Sequence, residues 1–465
     1  MRSVCFMPVV AQAPPRLAWK PAPRPADLDR VELSAPTAPA RPARLPAAEA
    51  LHDLIPGPVG LALLSATRSP GRPSEEALAF IDRFHRGLGL EGEGLEEKER
   101  HMKKSPHNFL RDTAALFVED VLGPHHPLEL LPRPAPELTV AVDVHLQNFG
   151  IVRGSDGEPV WGLNDFDQAD RSTPELDLAR LATSLVLQVR QAELDPGISL
   201  EAIQELCQSY CDELEHAPGE GAFLRASESE GPVETLFAKV DPDRWTFLRE
   251  LTSPEGERFV RDESMREASP EERERVLAGL RDYEERLDPL APLDRPLEVL
   301  DIVQRWGSGG ATLGLPRWYA LVEGEEAPYV LEIKQLLPTP LVDRTGDLSR
   351  ADAAATVASQ EALGGRLNTL TGYAPVAGYS MMVREREPEK AALGFKDLNS
   401  EEELLSMMRQ CGRVLARAHA RTPEQAERLR AWLGEDQELL SANLHRFAAR
   451  YADQAVADWQ AFRSR

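Results

Sequence analysis

Two short stretches decide how this sequence is interpreted: VDVHLQNFG at residues 142–150 and LNDFDQAD at residues 163–170. The chain between them contains two apolar runs around the turn signal GSDG, which predicts a β-hairpin. The hairpin returns the chain, so we expect Asp165 beside Asn148. Carboxylate and amide oxygens that converge in this way suit Mg²⁺, which also binds substrate phosphates. Asp143 precedes Asn148 by five residues and is positioned to accept a proton from an attacking hydroxyl.

A second group of residues follows more than a hundred positions later. The segment WGSGGATLG, residues 306–314, is a glycine-rich turn whose backbone amides can approach phosphates. Lys334 then occurs on the apolar strand YVLEIKQ, as a buried cation that needs an anion. Each group alone is weak evidence, because glycine-rich turns and Asp-Phe-Asp triplets are common. Together they provide the phosphate cradle, lysine, base and metal ligands that phosphoryl transfer requires.

These residues resemble the catalytic and metal loops of aminoglycoside phosphotransferases and other protein-kinase-like enzymes. By that resemblance Asp143 is the catalytic aspartate, and Asn148 and Asp165 are metal ligands. Asp167 is either a further metal ligand or a solvent-exposed acid. Asp177, in PELDLA, resembles the helix aspartate that holds the catalytic loop by its backbone amides. The implied nucleotide-binding residues are Gly307, Ser308, Gly309, Gly310, Lys334 and Glu361.

The chain is more closely similar to an uncharacterised bacterial family, domain of unknown function 2252. The similar pieces span about residues 100–465, nearly the whole predicted folded part. They are KKSPHNFLRD, DVHLQNFG, LNDFDQ, LDLARLATSL, GSGGATLG, VLEIKQ, LARAHAR and YADQAVADWQAF.

The sequence departs from the kinase pattern at two points. Val142 stands before the catalytic aspartate, where Gly or Arg is usual. The ion-pair partner of Lys334 is either Gln360 or Glu361, and a glutamine there would weaken the usual Lys–Glu pair. Such a weakened pair would favour a slow or inactive enzyme.

Two residues near the motifs have weaker claims to a chemical role. Arg111, in SPHNFLRD, either contacts a phosphate or pairs with a carboxylate of the helical part, and the structural role is favoured. His145 is expected to form structural hydrogen bonds within its loop rather than to catalyse.

The order of the motifs predicts a permuted architecture. In an ordinary kinase the glycine loop and lysine precede the catalytic loop, whereas here they follow it. We therefore expect an α+β, protein-kinase-like two-lobe fold that is circularly permuted, with a β-rich nucleotide lobe and a mainly helical large lobe. The expected segments are a disordered Pro/Ala-rich lead-in (1–73), a helical lobe with the catalytic and metal loops (74–295), a β-rich nucleotide lobe (296–390) and C-terminal helices that complete the helical lobe (391–465).

Composition limits the classes of partner. The chain has 465 residues and a formal net charge of −24. The acid excess belongs to the part after the lead-in, because residues 1–73 carry nine Lys/Arg against five Asp/Glu. An acidic chain disfavours nucleic acid and anionic membrane surfaces, and its apolar runs are too short to span a bilayer. Four cysteines do not make a disulfide framework. The N-terminal apolar run is short and contains Pro8, which is a poor signal-peptide pattern, so we expect a cytoplasmic protein.

The leading hypothesis is therefore an ATP- and Mg²⁺-dependent phosphotransferase that acts on a small-molecule hydroxyl. One alternative is a nucleotide-binding pseudokinase without turnover. The other is transfer of AMP on the same scaffold. Metal dependence is a sharp expectation, because an acidic protein repels a triphosphate unless Mg²⁺, Lys334 and the glycine-turn amides offset the charge locally.

Overall fold

The computed structural model describes residues 71–465 except residues 220, 241–242, 290, 308 and 366–367. The predicted lead-in therefore lies outside the described residues apart from its last three positions. Ser308 of the glycine-rich segment also lies outside them.

Side-chain caps define where several helices begin. At Ser269 a capping box is present: the Ser269 hydroxyl accepts the Glu272 amide at 3.2 Å, and the Glu272 carboxylate accepts the Ser269 amide at 2.9 Å. The first described helix begins at Ser74, and its N-cap residue, Pro73, makes no side-chain capping hydrogen bond. Thirteen α-helices lie within the described residues: α1 Ser74–Gly87, α2 Gly92–Lys103, α3 Pro106–Asp112, α4 Ala114–Leu122, α5 Pro174–Gln191, α6 Gly197–His216, α7 Gly231–Phe237, α8 Arg244–Leu251, α9 Pro270–Glu284, α10 Ala353–Gly364, α11 Glu401–His419, α12 Pro423–Leu433 and α13 Gln437–Arg463.

The strands form three antiparallel sheets in the described part of the chain. A two-stranded sheet pairs β1 (Leu138–Val140) with β4 (Asp170–Ser172). The four-stranded sheet has the order β12 (Ala391–Ala392), β2 (Phe149–Arg153), β3 (Pro159–Leu163) and β5 (Phe223–Leu224). The six-stranded sheet has the order β10 (Gly372–Val376), β11 (Tyr379–Glu385), β9 (Tyr329–Gln335), β8 (Arg317–Val322), β7 (Val299–Arg305) and β6 (Met265–Glu267).

The β2–β3 hairpin is confirmed, with Phe149 opposite Leu163. This register brings the chain before β2 and the chain after β3 to the same end of the hairpin. The Asn164 amide donates to the Asn148 carbonyl oxygen at 3.0 Å and extends the pairing by one step. The two motifs that flank the hairpin are therefore adjacent in space.

Alternation along β9 separates a core face from a polar face. Leu331 and Ile333 belong to an apolar core that also takes Val276, Leu280 and Tyr283 of α9. Because successive side chains of a strand point to opposite faces, Glu332 and Lys334 lie together on the other face. The sheet therefore presents buried charges on the side away from this core.

The helices on either side of the six-stranded sheet in sequence pack on one another. Helix α11 packs along α6, and α13 packs against α5 and α6. Their shared core includes Trp161 of the hairpin, Leu185 of α5, Tyr210 of α6 and Met407 of α11. The fold is thus mixed α+β with antiparallel sheets, as expected at that level. None of the helices in the described residues combines the length and apolar character needed to cross a bilayer.

Candidate functional site

Both groups of motif residues line one cavity of about 300 Å³. The predicted site residues in its lining are Asp143, Asn148, Asp165, Asp167, Gly309, Gly310 and Lys334. Gly307 and Glu361 are described but lie outside the lining. The six-stranded sheet and the hairpin thus bring together residues that are almost 200 positions apart in the sequence.

The Asp143 loop, residues 141–148, is held from behind by α5. The Asp177 carboxylate is fully buried and accepts the backbone amides of Ala141 at 2.9 Å and Val142 at 2.7 Å. His419 lies 3.1 Å from the same carboxylate, and its other ring nitrogen contacts the Tyr210 hydroxyl at 2.9 Å. Asp177 therefore positions the loop through its backbone, which is the arrangement that the resemblance implies.

Val142 has a left-handed backbone, with φ of 69°. The Asp143 amide donates to the Ala141 carbonyl at 2.8 Å, which closes a tight turn around Val142. A β-branched residue in this region costs about 1–3 kcal/mol and persists only where its surroundings enforce it. The two amide bonds to Asp177 supply that enforcement. Val142, which stands where the kinase pattern usually has Gly or Arg, thus occupies a strained backbone position.

Asp143 is held by a buried arginine that sequence reasoning did not identify. Arg180 of α5 donates from Nε to Asp143 Oδ1 at 2.7 Å, and its Nη2 donates to the Leu110 carbonyl at 2.8 Å. Burial raises the pKa of Asp143 to about 6, and the Arg180 charge limits that rise. Asp143 is therefore ionised at neutral pH but more basic than an ordinary aspartate. Arg180 lies three positions after Asp177, so one turn of α5 supplies both supports.

The metal-ligand candidates Asn148, Asp165 and Asp167 lie at the same end of the β2–β3 hairpin. The Asn148 side-chain amide donates to the Asp143 carbonyl at 2.5 Å, and the Asp167 amide donates to Asp165 Oδ1 at 3.3 Å. Burial alone would raise the pKa of Asp165, but Lys334, Arg384 and other cations hold it below its ordinary value. Burial and the neighbouring Asp165 charge raise the pKa of Asp167.

The donor set tests whether a metal fits. The half-buried carboxylates of Asp165 and Asp167, two residues apart, repel each other, so a cation near both is favoured. In the structure the cation beside Asp167 is Lys334. Within the described residues no group of three or more His, Cys, Asp or Glu side chains forms a metal site by itself. Asn148 and Asp165 carry the amide and carboxylate oxygens that Mg²⁺ prefers, whereas both oxygens of Asp167 contact Lys334.

Lys334 pairs with Asp167, which corrects the expected pairing with Gln360 or Glu361. The ammonium nitrogen lies 2.7 Å and 2.5 Å from the two Asp167 oxygens. Glu361 is an exposed residue of α10, and Gln360 lines a separate small cavity. This pairing follows from strand geometry, because the Lys334 side chain lies on the face of β9 that meets the Asp165–Asp167 segment. Asp167 is therefore largely enclosed rather than a solvent-exposed acid, since 10% of its side chain is accessible, and its described contact is an ion pair.

The glycine turn, residues 307–310, allows two arginines to approach its backbone. Gly309 has φ of 111°, and a Cβ there would lie 2.8 Å from Arg317 Nη2. A Cβ on Gly310 would lie 2.5 Å from Arg111 Nε. Fully buried Lys98 of α2 donates to the Ala311 carbonyl at 2.7 Å and to the Gly310 carbonyl at 3.4 Å. Gly309 thus has a positive φ beside Arg317 of β8, and Gly310 leaves room for Arg111 of α3.

Most cations of the cavity were missed by sequence reasoning. Arg317 and Arg384 both bind the buried Glu332 carboxylate, at 2.8 Å and 2.7 Å. Burial, followed by the charges of Arg384 and Arg386, lowers the pKa of Lys390 to about 7. A signal was present in VREREPEK, residues 383–390, where arginines alternate at strand spacing, but a single charged run usually indicates a solvated face.

Comparison with known proteins gives a family. Neither the search of curated proteins nor the search of solved structures gave a match. One family model, described as an uncharacterized protein conserved in bacteria (DUF2252), matches residues 92–465. This match covers most of the chain and includes every residue of the cavity described above. The chain therefore belongs to the DUF2252 family of bacterial proteins.

Proposed function

We propose that this protein is an ATP- and Mg²⁺-dependent phosphotransferase that acts on a small-molecule hydroxyl group. The observation that carries the proposal is the contact of Lys334 with Asp167 in a cavity that Asp143 also lines. It joins the two motif groups, which are separated in sequence, into one potential catalytic centre. Each group alone has an ordinary structural explanation, and their convergence does not.

Chain order and packing support a permuted kinase-like fold. Five strands of the antiparallel sheet that carries Lys334, β7 to β11, lie in sequence between α9 and α11, and its edge strand β6 precedes α9. Helices from before and after it pack together, as α11 does with α6. The helical part is thus assembled from two separate segments. This is the architecture expected if a nucleotide lobe follows the catalytic loop instead of preceding it.

The charge of the cavity supports an anionic ligand. Its lining has six Lys or Arg side chains against four Asp or Glu side chains, although the whole chain carries −24. A locally positive, partly enclosed site attracts anions in spite of a negative net charge. A nucleoside triphosphate with its divalent metal fits this balance of charges. The cavity volume of about 300 Å³ lies at the lower end for small-molecule sites.

Each residue then has a defined role. Asp143, oriented by Arg180, would accept the proton of the acceptor hydroxyl. Lys334 and the glycine-turn amides would hold phosphate oxygens. Asn148 and Asp165, with Asp167, would hold Mg²⁺, which supplies neutralisation of phosphate charge when bound.

The test combines binding with turnover. Thermal shift with ATP and Mg²⁺, together with an assay of ATP consumption, should show binding and slow hydrolysis or transfer by the wild type. Asp165→Asn and Lys334→Ala should lose both signals. Asp143→Asn should keep nucleotide binding but lose transfer, and the wild-type rate should rise with pH through about 6 as Asp143 ionises. Asp453→Asn on the exposed face of α13 is the matched control. A wild type that binds no nucleotide would contradict the proposal.

Nucleotide binding without turnover is the second candidate. It is favoured by the Arg180–Asp143 ion pair, which occupies one oxygen of the proposed base. Under this alternative Asp143→Asn leaves every nucleotide-dependent signal unchanged. Product analysis separates the third possibility, because AMP rather than phosphate would then be attached to the acceptor.

A further inference from the structure

Arg111 lies where the glycine turn and the Asp143 loop meet. It is the next-to-last residue of α3 and lines the cavity. Its Nε approaches Gly310 so closely that a Cβ there would be 2.5 Å away. On the other side, its Nη1 lies 3.5 Å from Gln147 Oε1. The guanidinium thus spans the space between the two motif groups.

The charge of Arg111 is not neutralised by an ion pair. Asp112, the adjacent carboxylate, lies 2.7 Å from His101 instead. Among the residues that the structure describes, no Asp or Glu oxygen forms a salt bridge with Arg111. The favoured structural role, pairing with a carboxylate of the helical part, is therefore not observed. Arg111 is nevertheless close enough to Asp143 to act against the rise in its pKa.

An unpartnered polar atom occurs in the same place. His145 is 5% exposed and lines the cavity, and its Nε2 has no hydrogen-bond partner in the described structure. Its pKa is held well below the ordinary value by burial and then by Arg111, so the ring is neutral. A buried polar atom left without a partner is unfavourable, and a ligand that pairs with it removes that cost.

We infer that Arg111 binds the phosphoryl group that is transferred, from a helix outside the kinase-like motifs. This inference rests on the proposed function. In the transfer, the acceptor oxygen bonds to phosphorus, the bridging oxygen departs with its electron pair on the diphosphate, and the hydroxyl proton passes to Asp143. Arg111 donates N–H groups to the non-bridging oxygens of the moving group. A cation at this point stabilises the charge that these oxygens carry in the transition state.

The position of Arg111 gives a distinctive binding signature. A residue that contacts only the terminal phosphate contributes to the affinity for a triphosphate but not for a diphosphate. Loss of a hydrogen bond to a charged group lowers affinity by a factor of about ten to a hundred. We therefore expect Arg111→Gln to weaken binding of a non-hydrolysable ATP analogue about tenfold or more. Binding of ADP should change by less than about twofold.

The experiment is calorimetric titration of the full chain with each nucleotide in the presence of Mg²⁺. Arg111→Lys, which keeps the charge but loses the forked donors, should give an intermediate loss for the triphosphate. Arg100→Gln on the exposed face of α2 is the matched control and should behave as wild type. Thermal unfolding without nucleotide checks that each variant is folded. If Arg111→Gln is unfolded, the comparison of Arg111→Lys with wild type decides the question.

The outcomes separate the two proposals. A wild type that binds neither nucleotide overturns the phosphotransferase proposal itself. A wild type that binds both, with Arg111→Gln weakening the two equally or not at all, overturns only the assignment of Arg111. Selective loss of triphosphate affinity supports the assignment.

Discussion

The Asp143 loop and the glycine turn line the same cavity but are held in opposite ways. A buried carboxylate, Asp177, holds the first through its backbone amides. A buried ammonium, Lys98, holds the second through its backbone carbonyls. Asp177 lies about 35 residues from its partners, whereas Lys98 lies 213 residues from Ala311. The loop therefore belongs to a locally folded unit, and the turn depends on distant packing.

The largest effect on stability should follow from removal of the Asp177 carboxylate, which holds the Asp143 loop. Asp177→Ala leaves two buried amides and His419 without their acceptor, so we expect a loss of about 3–5 kcal/mol in the free energy of unfolding. Urea denaturation measures it, and Asp212→Ala on the exposed side of α6 is the matched control. A loss below about 1 kcal/mol would mean that the loop does not depend on Asp177.

Substitution of Lys98, which anchors the glycine turn, should affect stability less than Asp177→Ala but should clearly weaken nucleotide binding. Lys98→Met removes a buried charge whose pKa burial already lowers, so the unfolding free energy should change by less than about 1 kcal/mol. The turn loses its anchor at Ala311, and nucleotide affinity should fall about tenfold. Denaturation and calorimetry on the same samples test both statements. Unchanged affinity would show that the sheet alone positions the turn.

The smallest expected effect concerns the pH dependence of binding. Lys390 has a pKa lowered to about 7, so it loses its charge as pH rises through 7. Affinity for an anionic nucleotide should then fall about threefold to tenfold between pH 6 and pH 8. Lys390→Met should flatten this profile, whereas Lys396→Met at an exposed position should not. A profile that Lys390→Met leaves unchanged would assign the titration to another group.

Local patterns in the sequence predicted those parts of the site that depend on neighbours in the chain. The hairpin follows from two apolar runs and GSDG, and its register brings Asn148 beside the Asp165 segment. Strand alternation in YVLEIKQ separates Lys334 from the core. The role of Asp177 came from resemblance, and the amide bonds of the loop agree with it.

The remaining contacts could not be predicted, because they join side chains from distant segments. The partner of Lys334 depends on which face of β9 meets the Asp165–Asp167 segment, and the sequence pattern points instead to Gln360 or Glu361. Arg180 and Arg384 gave no separate signal, since arginines on helices and strands are usually solvated. Burial, which turns such a residue into a specific partner, is a property of the packed structure.

By itself, the sequence determined the hairpin, the strand that carries Lys334, the mixed α+β class and which residues are candidates for the site. The tertiary structure alone decided that the two motif groups share one cavity, that Asp167 pairs with Lys334 and that the cavity lining is positive in an acidic protein. The physical reason is that periodicity and capping are interactions over a few residues. Charge balance and ion pairing in a buried site depend instead on long-range packing and on the exclusion of water.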